Sequence, residues 1–300
     1  MGHEQAQIVR QIAALSEISD RYDAILCDIW GVLHNGLASF AEASEALVAF
    51  RRKGGAVILI SNAPRPSPPI ERQVLRLGVS PGAFDAVVTS GDVTIGLMEQ
   101  QSGDQVLHIG PERDLMLFET ATEETGARPR LVALEEAQYV LCTGLRSDET
   151  ETVDDYQSEL RAMLGRGMAM ICANPDIVIH RGDTLIHCAG ALARRYEELG
   201  GSVIYAGKPY GPIYDRALTL AGRMRGGGIE KSRVLAIGDG MKTDILGATG
   251  AGLDALFVTG GIHRSLHKEN LTSPADPIEL KRLYDENEAW PVAAIPVLRP

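Results

Sequence analysis

The sequence predicts an α/β protein built on a parallel sheet, a Rossmann-like core into which a second α/β set is inserted. Three observations carry that expectation. Short apolar runs alternate with stretches of helical periodicity, as in chains of repeated strand–helix units. The runs are almost continuously apolar, as expected of strands buried on both faces. The runs that end in chemically useful residues lie on both sides of a middle stretch, which has strands and a helix of its own.

In chain order, the first strand is expected over Ala24–Cys27, delivering Asp28 at its end. Ala43, Leu47 and Phe50 then recur at helical spacing before a Gly54-Gly55 stop. A strand over Ala56–Ile60 closes on Ser61-Asn62. Ser67-Pro68 opens the next helix and Gly78 ends it. Ala86–Thr89 is a further strand. The middle stretch offers strands over Val106–Ile109, Tyr139–Cys142, Ala169–Cys172 and Thr184–His187, with a helix over Thr152–Leu164. Val203–Tyr205 then leads to Lys208, Val234–Ile237 leads to Asp239, a helix opens over Thr243 to Ala248, and Ala255–Val258 is the last strand. The tail after His263 is polar, then proline-bearing, and receives no element. The expected organisation is a core of residues 1–102 and 203–300 around an α/β domain of residues 103–202.

Composition narrows the function classes. The chain is 45% hydrophobic and 23% charged, enough apolar material for a sizeable core. A net charge of −11 without a basic run argues against nucleic acid as a partner. No run approaches the roughly 18 apolar residues of a membrane span. The polar start, MGHEQAQIVRQ, lacks a signal peptide's apolar core. Cys27, Cys142, Cys172 and Cys188 sit in or beside apolar runs, which suits buried free thiols in a reduced, cytoplasmic protein.

In open parallel sheets, ligands bind at the carboxyl ends of the strands. Four strand ends here carry an acid (Asp28), a hydroxyl with nearby backbone N–H groups (Ser61-Asn62), an ammonium (Lys208) and two more acids (Asp239, Asp244). Each has an ordinary structural reading, as a turn former, a solvated loop lysine or a helix N-terminal charge. In this order they form an inventory for phosphoryl transfer to an aspartate. Asp28 attacks phosphorus, Mg²⁺ takes carboxylate and phosphate oxygens, and Ser61 and Lys208 hold the phosphoryl oxygens.

The motifs DIWGVLHNG, ISNAPR, GKP and GDGMKTDILGA, with CANPD and CAGAL between the second and third, resemble the haloacid dehalogenase-like (HAD) superfamily. Within it they are similar to subclass IIA, the NagD-like and 4-nitrophenylphosphatase-like phosphatases with a large α/β cap. The resemblance runs from about Asp23 to His263. It implies a Rossmann-like core, a cap that closes over the site and selects the substrate, and residue roles. Asp28 would be the nucleophile and a magnesium ligand. Ser61 would bind the phosphoryl group through its hydroxyl and Asn62 through its backbone N–H, while Lys208 would neutralise charge. Asp239 would bind magnesium directly, and Asp244 through water or from behind. Asn174 and Asp176 are candidates for facing the substrate, although an Asn-Pro-Asp turn explains them equally well. The substrate class implied is a small phosphorylated metabolite. Caps of this type often pair, so a homodimer is one assembly the resemblance allows.

One position departs from the family. Where its phosphatases carry the general acid/base Asp, this chain has Trp30. The backbone carbonyl of Trp30 can still face the metal, but indole cannot carry the proton, a function worth about 10²–10⁴-fold. Three readings follow. One is a phosphatase with another proton carrier, His34 being the first suspect, or with a good leaving group. The second is a phosphate-ligand binder without turnover. The third is a carbon-halide hydrolase, disfavoured by the retained acids and the large cap. Cys172, His180, His187 and Cys188 have no spacing typical of zinc ligands. His263 reads as a loop residue that could reach the site rim.

Overall fold

A computed structural model describes residues 9–126, 129–181, 184–267, 271 and 273–300. The strands are β1 (Arg10–Gln11), β2 (Ala24–Asp28), β3 (Ala56–Ser61), β4 (Ala86–Thr89), β5 (Gln105–Ile109), β6 (Arg130–Leu131), β7 (Tyr139–Cys142), β8 (Ala169–Cys172), β9 (Val178–Arg181), β10 (Thr184–His187), β11 (Ser202–Tyr205), β12 (Val234–Gly238), β13 (Asp254–Val258) and β14 (Ala293–Ile295). The α-helices are α1 (Ala41–Arg52), α2 (Ser67–Arg76), α3 (Ser90–Glu99), α4 (Met116–Thr125), α5 (Gln157–Gly165), α6 (Ala189–Glu198), α7 (Gly211–Met224), α8 (Leu246–Ala251) and α9 (Pro277–Asn287). The chain divides into two compact units. The first comprises Met1–Ile60, Arg72–Val87 and Ala217–Pro300, and the second Ser61–Glu71 and Val88–Arg216.

The first unit is organised by a sheet in the order β1-β14-β13-β12-β2-β3-β4. The pairs β1–β14, β13–β14, β12–β13, β12–β2 and β2–β3 are parallel. Strands β2, β3 and β12 are buried along their whole length and β13 from its second residue on: Ile25, Leu26, Val57, Ile58, Val234, Leu235, Leu256 and Phe257 have no accessible surface. That explains the unbroken apolar runs in the sequence. The chain leaves β2 toward β3 on one side, while β12 pairs with β2 on the other. The order therefore reverses at β2, and the crevice at such a switch point opens at the strand's carboxyl end. Asp28 occupies that end.

The second unit has a parallel sheet in the order β11-β8-β7-β5-β6 and a separate antiparallel pair, β9 with β10. Strand alternation sorts the large sheet into two faces. Val140, Cys142, Met170 and Cys172 pack with Leu160 and Met163 of α5 and Leu192 and Tyr196 of α6. Tyr139, Leu141 and Ile171 pack with Ile95 and Met98 of α3 and Leu117 and Phe118 of α4. Each face is thus covered by helices. Tyr196 is fully buried, and its hydroxyl donates to the Met168 carbonyl at 2.6 Å. Tyr196→Phe keeps the ring and removes the donor, so it should destabilise the protein by about 1 kcal/mol. Urea denaturation would show this as a lower midpoint at unchanged slope; an unchanged midpoint would mean the bond is energetically silent.

Several elements differ from expectation. Val203–Tyr205, grouped by sequence with the strands of the core, pairs in parallel with β8. The helix expected over Thr152–Leu164 opens as a 3₁₀ turn over Val153–Tyr156, and α5 begins at Gln157. The tail that received no element supplies α9 and β14, and β14 sits in the large sheet beside β13. The two-residue strand β1 was also unread, being too short to show any periodicity.

Candidate active site

Within the first unit, three acids converge. Ligand oxygens of Asp28, Asp239 and Asp244 all lie within 4.8 Å of one another, and the residues are 7%, 5% and 4% exposed. The backbone explains how residues far apart in sequence meet. Ile237 of β12 is in register with Cys27 of β2, which brings the two strand ends side by side. Asp239 is the first residue after β12, and its Oδ2 accepts the Ile262 N–H at 2.8 Å. A single π-helical turn follows, Met241–Ile245, of the kind that often marks functional positions. It carries Asp244 back against the strand end: a Cβ at Gly238 would lie 2.2 Å from that of Asp244. Asp244 Oδ2 accepts the Gly240 N–H at 3.0 Å. Gly31 is equally constrained, with φ +76° and room for no Cβ beside the Asp239 carboxylate.

Three ionised carboxylates at this separation repel one another, and burial strengthens the repulsion. A bound cation relieves both. All donors are hard oxygens, so the set fits Mg²⁺, which prefers carboxylates and retained waters. Asp239→Asn preserves size and removes one charge. We expect it to weaken Mg²⁺ binding at least about tenfold, since even partners behind the ligands are worth that much. Calorimetry with the folded variant would read this, and an unchanged affinity would count against Asp239 as a metal ligand.

Trp30 and His34 are coupled. The Gly31 N–H donates to the His34 carbonyl at 2.9 Å, and the two rings meet edge to face at 4.9 Å and 75°. His34 is 1% exposed, and its Nδ1 accepts the Gly36 N–H at 3.0 Å. The remaining proton of the neutral ring is therefore on Nε2. Burial lowers the His34 pKa, and its Nδ1 lone pair is engaged by the Gly36 N–H. His34, the first substitute expected for the missing Asp, braces Trp30 in this structure.

Within the second unit, Asn62 is a clamp. Its Oδ1 accepts the Lys208 N–H at 2.8 Å, while Nδ2 donates to the Lys208 carbonyl at 3.1 Å and to Asp176 Oδ1 at 2.9 Å. The buried Lys208 is thereby held by its main chain. Asn174 Oδ1 accepts the Asp176 N–H at 3.1 Å, closing the Asn-Pro-Asp turn. Asn174 therefore shapes the turn, and Asp176 ties it to Asn62. The Ser61 hydroxyl accepts the Ala63 N–H at 3.2 Å.

Residues not singled out from the sequence hold this loop. The first turn of α3 is capped reciprocally by Thr89 and Asp92. Asp92 also accepts the Ser67 N–H at 2.9 Å, and the Gly91 N–H donates to the Ala63 carbonyl at 3.1 Å. A Cβ at Gly91 would lie 2.5 Å from the Arg65 backbone. The T-S-G-D run was a legible capping box; that its helix end supports the Ser61-Asn62 loop was not. The hydroxyl of Ser90 is buried without a hydrogen-bond partner among the described residues.

The other candidates have plain places. The side chain of His180 lies outside the described residues. Cys142, Cys172 and Cys188 are buried free thiols; burial pushes the Cys142 pKa up to about 12 and those of Cys172 and Cys188 also upward. His263 packs edge to face on Phe257 at 5.5 Å, and burial lowers its pKa. No helix among the described residues is long and apolar enough to cross a membrane.

The first unit is thus a parallel α/β fold of the class that places a carboxylate cluster at the sheet's switch point. Residues 25–123 match the family described as haloacid dehalogenase-like hydrolase, and residues 205–283 match a related HAD-hydrolase-like family. A solved hydrolase of the haloacid dehalogenase-like family from Brucella suis 1330 is 44% identical, with a TM-score of 0.82 over 96% of this chain and 99% of that one. The chain belongs to the haloacid dehalogenase-like hydrolase family. The 5′-nucleotidase YutF of Bacillus subtilis is 26% identical over 86% of this chain and 95% of its own length. NagD from E. coli K-12 matches in fold, with a TM-score of 0.64 at 21% identity over 92% of this chain and 96% of that one.

Proposed function

We propose that the protein is a Mg²⁺-dependent phosphoric monoester hydrolase acting on a small phosphorylated metabolite through an aspartyl phosphate. The observation that carries the reading is the buried set of Asp28, Asp239 and Asp244, with Asp28 at the switch point of the sheet. The nucleotidase and NagD likenesses support it.

Asp28 attacks phosphorus through a carboxylate oxygen. A P–O(Asp) bond forms as the ester P–O bond breaks, and the leaving oxygen departs with the electron pair. Water then attacks the same phosphorus and breaks the P–O(Asp) bond, returning inorganic phosphate and the Asp28 carboxylate. The family roles give Ser61 and Lys208 the phosphoryl oxygens, where positioning and electrostatics dominate catalysis. Mg²⁺, held by Asp28, Asp239, Asp244 and the Trp30 carbonyl, would supply charge neutralisation. Trp30 has no group that can carry the proton, so in this reading the leaving group departs with little protonation and the water attacks without a side-chain base at position 30.

Residues 103–202 act in this reading as the substrate-selecting cap of the family. Replacing Asn174 and Asp176 with Ala should then alter substrate preference more than Mg²⁺ affinity; if it alters neither, the Asn-Pro-Asp turn is structural only. The deciding experiment is a screen of phosphorylated metabolites with Mg²⁺ and with EDTA. Mg²⁺-dependent phosphate release supports the enzyme. Saturable binding without release would make the protein a phosphate-ligand binder, and halide release from haloacids a carbon-halide hydrolase.

A further inference from the structure

Trp30 stands two residues beyond Asp28 and is one of two tryptophans in the chain. It is 42% exposed, yet it is not loosely held. Its backbone is tied through the Gly31–His34 hydrogen bond, and the His34 ring sits against it edge-on. Gly36 lies against the benzo end: with φ +87°, a Cβ there would be 2.5 Å from the indole. His34 is itself fixed by the Gly36 N–H. A rigid aromatic with much of its surface open is a preformed binding element, since little side-chain freedom remains to be lost when a ligand lands. A second apolar side chain belongs to the same set of loops. Ile262 is 69% exposed, and its N–H is the one bound to Asp239 Oδ2. The carboxylate cluster thus carries two open apolar side chains on the loops that build it.

We propose that Trp30 is the platform for the leaving group, and that the substrate is a phosphate ester of a flat, acidic hydroxyl of the aryl, heteroaryl or enol class. Shape and chemistry give the same answer. An indole held this way offers a flat face on which a planar group stacks with full contact. A site with no proton at position 30 needs a leaving oxygen stable as an anion, which conjugation into a flat π system provides. Substituting Trp for the family's Asp therefore exchanges a proton carrier for a selector of substrates that do not need one. The inference rests on the phosphatase reading for the phosphoryl end only.

The test uses non-hydrolysable ligands in a Trp290→Phe background, so that Trp30 is the reporting indole. With Mg²⁺ present, 1-naphthylphosphonate should quench the fluorescence and bind about five- to tenfold more tightly than methylphosphonate. Trp30→Leu should erase that preference, while Trp30→Phe, which keeps a flat ring, should retain most of it. Calorimetry supplies the affinities where the fluorophore is gone. Equal affinity for the two phosphonates, or a preference that survives Trp30→Leu, overturns the inference and leaves the phosphatase reading standing. If neither phosphonate nor inorganic phosphate binds, the phosphatase reading falls and the platform falls with it.

Discussion

Asp28→Asn is expected to reduce turnover of any phosphorylated substrate on the order of 10⁵–10⁶-fold, the scale reached when a hydrolase loses its nucleophile. An amide oxygen neither attacks phosphorus nor leaves in a second displacement. Asp28 is also one of the three clustered acids, so the variant should weaken Mg²⁺ binding as well. Measuring activity at saturating Mg²⁺ separates the two effects. A complementary readout is chemical trapping: hydroxylamine should capture an acyl phosphate at Asp28 in the wild type and none in the variant. Residual activity above about one part in a thousand, with no trapped intermediate in either form, would assign the chemistry to another residue.

Trp30→Asp is expected to act in the opposite direction. A carboxyl group at that position can protonate a departing alkoxide and then activate water, a contribution of about 10²–10⁴-fold. The gain should be largest for alkyl phosphates, whose leaving oxygen needs the proton, and small for aryl phosphates. In the wild type an aryl phosphate should give a burst followed by slow turnover, because water attack on the aspartyl phosphate lacks its base. The burst should shrink in the variant as the second step accelerates. Removing a buried tryptophan typically costs about 3–5 kcal/mol; with 42% of Trp30 already exposed, the cost here should fall below that range. Alkyl phosphate turnover by the wild type at the variant's rate, with no burst, would show that another group carries the proton.

Much of this was legible in the amino-acid sequence. Buried parallel strands leave unbroken apolar runs, so β2, β3, β7, β8, β12 and β13 could be read to within a residue or two. Strand ends also mark the ligand side of a parallel sheet, which is why Asp28 and Asp239 could be named as candidates before their proximity was known. These signals are local, and a local pattern survives in the chain because each residue's environment repeats every two or every 3.6 positions. What only the tertiary structure decided is who meets whom. Val203–Tyr205 looks the same whichever sheet it joins; its pairing with β8 depends on a partner some thirty residues away. Strands of two or three residues, such as β1 and β14, are too short to carry a period and exist because a neighbouring edge supplies the hydrogen bonds. Asp244 could have been an ordinary helix N-terminal acid, and a π turn made it the third member of the cluster. Asn62 could have been an ordinary turn residue, and its amide became the clamp on Lys208. His34 could have been an ordinary loop histidine, and its ring became the buried, edge-on neighbour of Trp30. Side-chain identity sets what a residue is able to do. Its hydrogen-bond partners, fixed only when distant segments pack, determine which of those abilities remains.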